Sequence, residues 1–175
     1  MSAQLVRPVD ADDHAIGSPE AAVTLVEYGD YECPDCKALQ RVLKDAHFAL
    51  GDHVRIVYRH FPLQKVHPNS WLAAIAAEAA AAQGRFWEYH ERLFTKQAEL
   101  ERDDLIAYAI ALGLDPIAFK AALDDPELDA AVRADFQSGV RSDANGTPTL
   151  FINGVRYDGL LTFDAIIAAL ESSVP

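Results

Sequence analysis

Residues 23–36, VTLVEYGDYECPDC, decide the fold: an apolar run, an acidic turn and two cysteines. The β-branched and aromatic residues at the start of this stretch predict a strand, and Gly29 and Asp30 are turn formers that end it. Pro34 is favoured in the first turn of a helix, where its missing N–H is no loss. The residues after it form an apolar stripe at helical spacing, namely Cys36, Leu39, Val42, Leu43 and Ala46. Cys33 is therefore predicted to lie where a strand passes into a helix.

Cys33 and Cys36 have the spacing of a redox pair, and they are the only cysteines among the 175 residues. Residues three apart on a helix face the same side, about 5–6 Å apart at Cβ, so the two thiols can close to a disulfide. The helix dipole and the free backbone N–H groups near Cys33 favour thiolate over thiol. Such a thiolate can attack a disulfide of another protein, and Cys36 can then resolve the mixed disulfide.

The CxxC segment has two other interpretations. A zinc site needs four ligands, but the chain has no second CxxC and its six histidines include no pair at HxxxH spacing. A purely structural disulfide would close so short a loop that it would constrain the chain little. A CxxC that follows a strand and begins a helix is typical of redox chemistry, so we expect no metal and no organic cofactor.

The composition limits the partners and the location. A net charge of −12 argues against nucleic acid and anionic membranes as partners, and half of the residues are hydrophobic, which is enough for a sizeable core. The N-terminal sequence has no apolar segment of signal-peptide length, and no stretch suits a membrane span. We therefore expect a cytoplasmic protein, or a periplasmic or other extracytoplasmic one if a signal peptide is missing from this sequence. Residues 1–20 are predicted to form a polar arm with few packing residues.

The order of the predicted elements gives the topology. A second strand near residues 54–58 completes a strand–helix–strand unit, which implies parallel pairing with a right-handed crossover. The pattern is then helical, with capping residues and prolines, until residues 145–148, Asn-Gly-Thr-Pro, interrupt it. A strand over 149–152, an Asn-Gly hairpin turn and a returning strand follow. Thr162 is predicted to cap a last helix.

This order, with CPDC after the first strand and Thr-Pro before the hairpin, resembles the DsbA-like branch of the thioredoxin superfamily. The similar segments cover nearly the whole chain: GSPEAAVTLVEYGDYECPDC, YRHFPL followed by HPNS, GRFWEYHERLF, LGLDPIAF and GTPTLFING. The resemblance implies an α/β protein with a thioredoxin fold and an inserted helical domain. Its implied parts are an N-terminal arm over 1–20, a thioredoxin domain over 21–64 and 144–175, and the inserted helical domain over 65–143.

The resemblance also assigns site residues. It implies that Cys33 is the attacking sulfur and that Pro148 is a cis proline lying against the disulfide. Glu27 occupies the position of a buried carboxylate, whose pKa desolvation raises, so that it can accept the proton of the resolving thiol. The alternative for Glu27 is an outward-facing strand residue. The backbone of Thr147 is expected to pair with an extended substrate segment.

Pro34 and Asp35, between the cysteines, are expected to modulate the site. DsbA-like proteins often carry His or an aromatic residue at the position of Asp35. An acidic side chain there is expected to repel the Cys33 thiolate and so to make the protein a weaker oxidant.

The sequence thus predicts a thiol:disulfide oxidoreductase that acts on protein thiols and disulfides and exchanges electrons with an unidentified redox partner. The direction of exchange stays open, and a monomer is expected because no dimerisation domain is visible. One alternative is a binding module in which the CxxC senses redox state. Another is a glutathione-dependent transferase or isomerase of DsbA-like fold, although such proteins usually lack the resolving cysteine.

Overall fold

The computed structural model describes residues 3–174, over which the chain forms five strands and seven α-helices. The strands are β1 His14–Ile16, β2 Val23–Gly29, β3 Val54–His60, β4 Thr149–Ile152 and β5 Val155–Tyr157. The helices are α1 Pro34–Leu50, α2 Ser70–Ala81, α3 Phe86–Thr95, α4 Arg102–Ala111, α5 Pro116–Ala122, α6 Pro126–Arg141 and α7 Phe163–Ser172. No helix within this described range combines the length and the apolar character that crossing a membrane requires.

The strands form one sheet in the order β1-β3-β2-β4-β5. β2 and β3 run parallel, with Val23 opposite Val54 and Gly29 opposite His60, and α1 makes the crossover between them. The other neighbouring strands pair antiparallel. Helices α2 to α6 lie between β3 and β4 in the chain, as the sequence predicts. The residue boundaries of the predicted domains stay a prediction.

Strand alternation places Glu27 beneath α1. Val23 and Leu25 pack in a cluster with residues of α1 and α7, whereas Val26 and Tyr28 pack on the opposite face of the sheet. Since side chains alternate between the two faces of a strand, Glu27 lies on the face that α1 covers. The helix that begins at the cysteines therefore lies over this carboxylate.

The cysteines lie at the junction of the sheet with the helices. Cys33, Cys36 and Tyr58 belong to one apolar cluster with side chains of α2, α3, α4 and α5. The alanines of α2 are buried in it, and their small side chains let neighbouring helices approach closely. On the other side of the sheet, a Cβ at Gly139 of α6 would lie 2.6 Å from the Phe61 ring, so this helix packs tightly as well.

The N-terminal segment packs against the sheet more extensively than the expected polar arm. Leu5 and Val9 lie against the apolar cluster of Val26 and Phe61, and β1 pairs antiparallel with β3. The difference arises because these apolar residues are isolated among polar ones, and a strand of three residues is too short to give a periodic pattern.

Candidate active site

Cys33 is the N-cap residue of α1, and Pro34 is the first residue of the helix. Both cysteines are free thiols, and the Cys33 Sγ accepts a hydrogen bond from the backbone N–H of Cys36 at 3.4 Å. Cys33 is 5% exposed, whereas Cys36 is fully buried. The accessible sulfur is thus the one at the helix start, and the other lies below it.

The loop before β4 closes over the Cys33 sulfur. The Thr147–Pro148 peptide bond is cis, and the Cys33 thiol donates to the Thr147 carbonyl at 3.3 Å. The Thr147 hydroxyl is buried and has no hydrogen-bond partner among residues 3–174. Both residues of this loop are half-buried, and the loop lies directly against the Cys33 sulfur.

The two thiols have opposite pKa shifts. The pKa of Cys33 is lowered to about 6, chiefly because the Cys36 thiol hydrogen-bonds to it, with further lowering from Thr147 and from the backbone N–H groups of Cys36 and Asp35. Burial opposes this shift without cancelling it. Burial raises the pKa of Cys36 far above its ordinary value, and its hydrogen bond to Cys33 and the charge of Glu27 act in the same direction. At neutral pH the pair is therefore one thiolate and one thiol.

Pro34 and Asp35 are both exposed at the helix start. Asp35 lowers the pKa of Cys33 through its backbone N–H. The expected repulsion between the Asp35 carboxylate and the thiolate acts across solvent, which screens it. That modulation stays a prediction.

Glu27 is a buried carboxylate with too few partners. It is 1% exposed, so the alternative of an outward-facing residue is wrong. Its Oε2 accepts from Gln40 Nε2 at 2.9 Å, and its Oε1 has no partner in the described part of the chain. Burial raises its pKa to about 8, partly offset by the Gln40 hydrogen bond and increased again by the charge of Cys33. A carboxyl group with such a pKa can take up and release a proton near neutral pH.

A chain of hydrogen bonds directed toward Glu27 continues beyond Gln40. Burial lowers the pKa of His90 to about 3, so its imidazole is neutral. Its Nε2 lies 2.8 Å from Gln40 Oε1, which can only accept, so Nε2 donates there and Nδ1 accepts from the Tyr31 hydroxyl at 2.9 Å. Each donor in the series Tyr31, His90, Gln40 thus points toward Glu27 and fixes its position.

A cavity of about 540 Å³ connects this carboxylate with the surface between α1 and α3. It is lined both by buried groups, among them Glu27 and His90, and by exposed ones, among them Lys37 and Arg41. The cavity lining thus extends from the buried Glu27 carboxylate to exposed side chains of α1.

Two further side chains hold the loop that leads into Cys33. The buried Asp30 carboxylate accepts from the backbone N–H groups of Glu32 and Leu63 and from His67 Nδ1, each at 2.8 Å. Gln97 Nε2 donates to the carbonyls of Tyr31 and Cys33 at 2.9 and 2.8 Å. These contacts keep the sulfur in place relative to the helix start.

Sequence reasoning did not find these supporting residues. Gln40 had a usable signal, because it lies one helical turn after Cys36 and so faces the same side of α1. Asp30 was interpreted as a turn former only. Gln97 and His90 had no signal, because their partners are 50 or more positions away in the chain.

A family model described as thioredoxin matches residues 10–172. The chain belongs to the thioredoxin family. Among solved structures it is similar to oxidised BdbD from Bacillus subtilis, with 27% identity and a TM-score of 0.82 over 99% of this chain and 97% of that one. It is also similar to a thioredoxin-like oxidoreductase from Silicibacter pomeroyi, with 27% identity and a TM-score of 0.81 over 94% and 91% of the two chains.

Wolbachia pipientis alpha-DsbA1 shares the fold at 18% identity, with a TM-score of 0.82 over 97% of this chain and 94% of that one. The prediction of a DsbA-like α/β protein with a thioredoxin fold is therefore confirmed.

The curated relatives have a different description. The chain is 42% identical over 172 residues to Na(+)/H(+) antiporter NhaA 1 of Mycolicibacterium gilvum, and 44% identical over 174 residues to the protein of that name from Mycobacterium sp. strain KMS. The matches cover 97% and 96% of this chain but only 28% of each relative. The chain thus spans little more than a quarter of the length of these relatives.

Proposed function

We propose that the chain is a thiol:disulfide oxidoreductase that exchanges disulfides with protein substrates through the Cys33-Pro34-Asp35-Cys36 segment. The observation that carries this proposal is the asymmetry of the pair. Cys33, with a pKa of about 6, lies at the helix start beside the Thr147–Pro148 loop, and Cys36 lies buried beneath it. A structural thiol pair does not need a thiolate at neutral pH, whereas a nucleophile does.

The reductive half of the exchange has two steps. The Cys33 thiolate attacks one sulfur of the substrate disulfide, whose S–S bond breaks as a Cys33–substrate disulfide forms and the other substrate sulfur leaves as a thiolate. Glu27 in its ionised form then takes the proton of the Cys36 thiol, and the Cys36 sulfur attacks Cys33. The Cys33–Cys36 disulfide closes, and the second substrate thiolate leaves. The substrate gains the two electrons that the protein loses, and the reverse steps introduce a disulfide into a substrate.

The lowered pKa of Cys33 favours the oxidising direction. Stabilising the thiolate stabilises the reduced protein relative to its disulfide, so the disulfide is passed on more readily. Equilibration of the pair with glutathione measures this tendency directly. The redox partner that restores the starting state has to be a dithiol or a disulfide, because only these exchange two electrons with the cysteine pair.

Insulin reduction by dithiothreitol tests the proposed activity. The wild-type protein should accelerate it, Cys33→Ser should not, and Cys36→Ser should accumulate a mixed disulfide with insulin. Wild-type protein that leaves the uncatalysed rate unchanged would exclude exchange with protein disulfides. In Cys36→Ser the Cys33–insulin disulfide persists, because no second thiol attacks it. This variant therefore separates the attack by Cys33 from the resolution by Cys36.

A second candidate function is a redox-sensing module. It is favoured by the curated relatives, which are named Na(+)/H(+) antiporters and are more than three times as long as the matched segment. In this alternative the Cys33–Cys36 pair changes state and alters a contact with a transporter, without turnover of other disulfides. Such a sensor would be oxidised and reduced by glutathione but would not accelerate insulin reduction.

A glutathione-dependent transferase or isomerase is the least supported candidate, because Cys36 directly contacts Cys33. An enzyme of that class should keep its activity in Cys36→Ser. The cytoplasmic location and the monomeric state stay predictions, and size-exclusion chromatography of the purified chain tests the second of them.

A further inference from the structure

Two histidines and a glutamate from three separate elements converge outside the thiol site. His14 lies on β1, His60 ends β3, and Glu78 lies on α2. The Nε2 atoms of His14 and His60 lie 2.7 and 2.8 Å from the same oxygen, Glu78 Oε1. The three ligand atoms all lie within 4.8 Å of one another. Because these residues are far apart in the sequence, no short motif could reveal the cluster.

Both imidazole rings of the cluster make their hydrogen bond to the same carboxylate oxygen of Glu78. Burial would raise the pKa of Glu78, but hydrogen bonds from His14 and His60 hold it well below its usual range, so the carboxylate is ionised. Both imidazoles compete for one acceptor atom, and the Nδ1 of the buried His60 has no partner among residues 3–174. The cluster thus contains a buried ring nitrogen without a partner and a carboxylate oxygen that both histidines share.

An acidic cavity of about 290 Å³ opens beside His14 and Glu78. Its lining includes four aspartates and one arginine, namely Asp10, Asp12, Asp13, Asp135 and Arg7. Asp13 and Asp135 are engaged by Arg7 at 2.8 Å each, whereas Asp12 is exposed. The acidic excess makes the cavity attractive to cations, as does the overall charge of −12.

We propose that His14, His60 and Glu78 form a binding site for a divalent cation of the zinc type, with a water molecule as fourth ligand on the side of the cavity. Two imidazole nitrogens and a carboxylate oxygen are a donor set that Zn²⁺ takes readily, at about 2.0–2.2 Å from each ligand atom. Tetrahedral ligands at that distance lie roughly 3.3 Å apart. The two contacts to Glu78 therefore need to lengthen by only about half an ångström. Each imidazole has to present its Nε2 lone pair to the ion, because a metal ligand nitrogen carries no proton.

The bound ion would join three parts of the fold. It would link the N-terminal strand β1 to the sheet at β3 and to the helices at α2. This differs from the expectation that the chain binds no metal, which was argued from the cysteines and from histidine spacing. The proposal is independent of the thiol chemistry, because none of its ligands takes part in the proposed exchange.

Titration of the disulfide form with zinc chloride tests the proposal, because the oxidised cysteines cannot bind the metal. Calorimetry should show one Zn²⁺ per chain with a micromolar dissociation constant. At a hundredfold excess over that constant, Tm should rise by about 5–10 °C. Co²⁺ in place of Zn²⁺ should give a visible absorption band of a four-coordinate site with nitrogen ligands.

Matched histidine variants identify the ligands. His14→Gln should weaken Zn²⁺ binding by more than tenfold, whereas His53→Gln, at an exposed histidine outside the cluster, should leave it unchanged. Glu78→Gln should likewise weaken Zn²⁺ binding by more than tenfold. A circular dichroism spectrum reports whether that variant still folds. Absence of Zn²⁺ binding to the wild-type chain, or equal binding to His14→Gln, would overturn the proposal. The Co²⁺ spectrum decides the matter on the wild-type chain even if a variant fails to fold.

Discussion

Two buried charged side chains, Arg59 in one region of this molecule and Glu27 in another, differ in how completely their polar atoms are hydrogen-bonded. In the N-terminal charge cluster, defined here as Arg7, Asp13, Arg59 and Asp135, Arg59 is fully buried and makes five hydrogen bonds. They go to both Asp13 carboxylate oxygens, the carbonyls of Arg7 and Pro8, and the Tyr28 hydroxyl. At the thiol site, Glu27 has one donor for two oxygens.

The difference separates structural charge from chemically active charge. The pairing keeps Arg59 protonated, because hydrogen bonds with Asp13 and Tyr28 raise its pKa although burial acts against it. Glu27 lacks such compensation, so burial moves its pKa to about 8, where it can transfer protons at physiological pH. The proposed role of Glu27 as proton acceptor in exchange thus depends on the incomplete hydrogen bonding of its carboxylate.

The largest expected effect is the loss of stability in Arg59→Met. Removing the cation takes two hydrogen bonds from the Asp13 carboxylate, whose side chain is 1% exposed and which keeps Arg7 and the Asp10 backbone N–H as partners. Breaking a buried ion pair by removing one partner costs about 3–5 kcal/mol in comparable cases. Urea unfolding measures this free energy. Arg41→Met is the matched control, because the side chain of Arg41 is 89% exposed and its pair with Asp45 should contribute little. A loss below about 1 kcal/mol would show that the cluster is not the structural element inferred here.

Glu27→Gln should change both the pH dependence of stability and the rate of exchange. The folded-state pKa of about 8 lies above the ordinary glutamate value of 4.5, so between these values the folded state holds a proton that the unfolded state has lost. The contribution of Glu27 to stability is therefore fully present below pH 4.5 and is lost as pH rises through 8.

Glu27→Gln has no titrating group at this position, so its free energy of unfolding does not include this pH-dependent loss. The free energy of unfolding of the variant minus that of the wild type should therefore increase by on the order of 3–5 kcal/mol between pH 4 and pH 9. Insulin reduction near neutral pH should slow by about 10²-fold, because Cys36 loses its proton acceptor. Glu91→Gln, at an exposed position that also lines the cavity, is the control. Parallel stability curves for Glu27→Gln and the wild type would exclude a raised pKa for Glu27.

The sequence predicted the thiol site better than the region that surrounds it. The strand, the turn and the proline all lie within fourteen residues, so local propensity alone places Cys33 at a helix start. Glu27 was assigned by the resemblance to DsbA-like proteins, and alternation along β2 beneath α1 accounts for its burial in the structure. The N-terminal charge cluster joins positions 7, 13, 59 and 135, and only the folded topology brings them together.

The same limit applies within the active site. The turn formers and helix caps are local features that a sequence shows. The Gln40–His90–Tyr31 chain depends on how α3 packs against α1, which side-chain periodicity does not specify. Asp30 was interpreted from its own conformation as a turn former, although its carboxylate pairs with residues more than thirty positions away.

Thr147→Val should raise the pKa of Cys33. The Thr147 hydroxyl is buried and has no partner within residues 3–174, so it is free to donate to a Cys33 thiolate, and the Thr147 side chain contributes to the lowered Cys33 pKa of about 6. We expect a rise of about one unit, because one hydrogen bond to a charged group contributes about 1.5–3 kcal/mol and solvent replaces part of it. Thiolate absorbance against pH measures the change, and Thr162→Val, at an exposed threonine, is the control. An unchanged pKa would show that the hydroxyl does not point to the sulfur.

The smallest expected effect is that of Asp35→His. The Asp35 side chain is exposed at the first turn of α1, so solvent screens its repulsion of the Cys33 thiolate. At roughly 7 Å in water this repulsion is about 0.6 kcal/mol, or about half a pKa unit. The substitution should therefore lower the pKa of Cys33 by about that amount and raise the reduction potential by about 15 mV, taking about 30 mV per tenfold change in the exchange constant.

Asp45→His, farther along α1, should change neither quantity, and added salt should reduce the effect of Asp35→His because the charges are exposed. Glutathione equilibration gives the potential. If Asp35→His leaves both quantities unchanged, the charge of this loop has no influence on the thiolate. The hydrogen bonds from Cys36, Thr147 and the helix start then account for the pKa of Cys33 without any contribution from the residue at which this chain departs from the DsbA-like pattern.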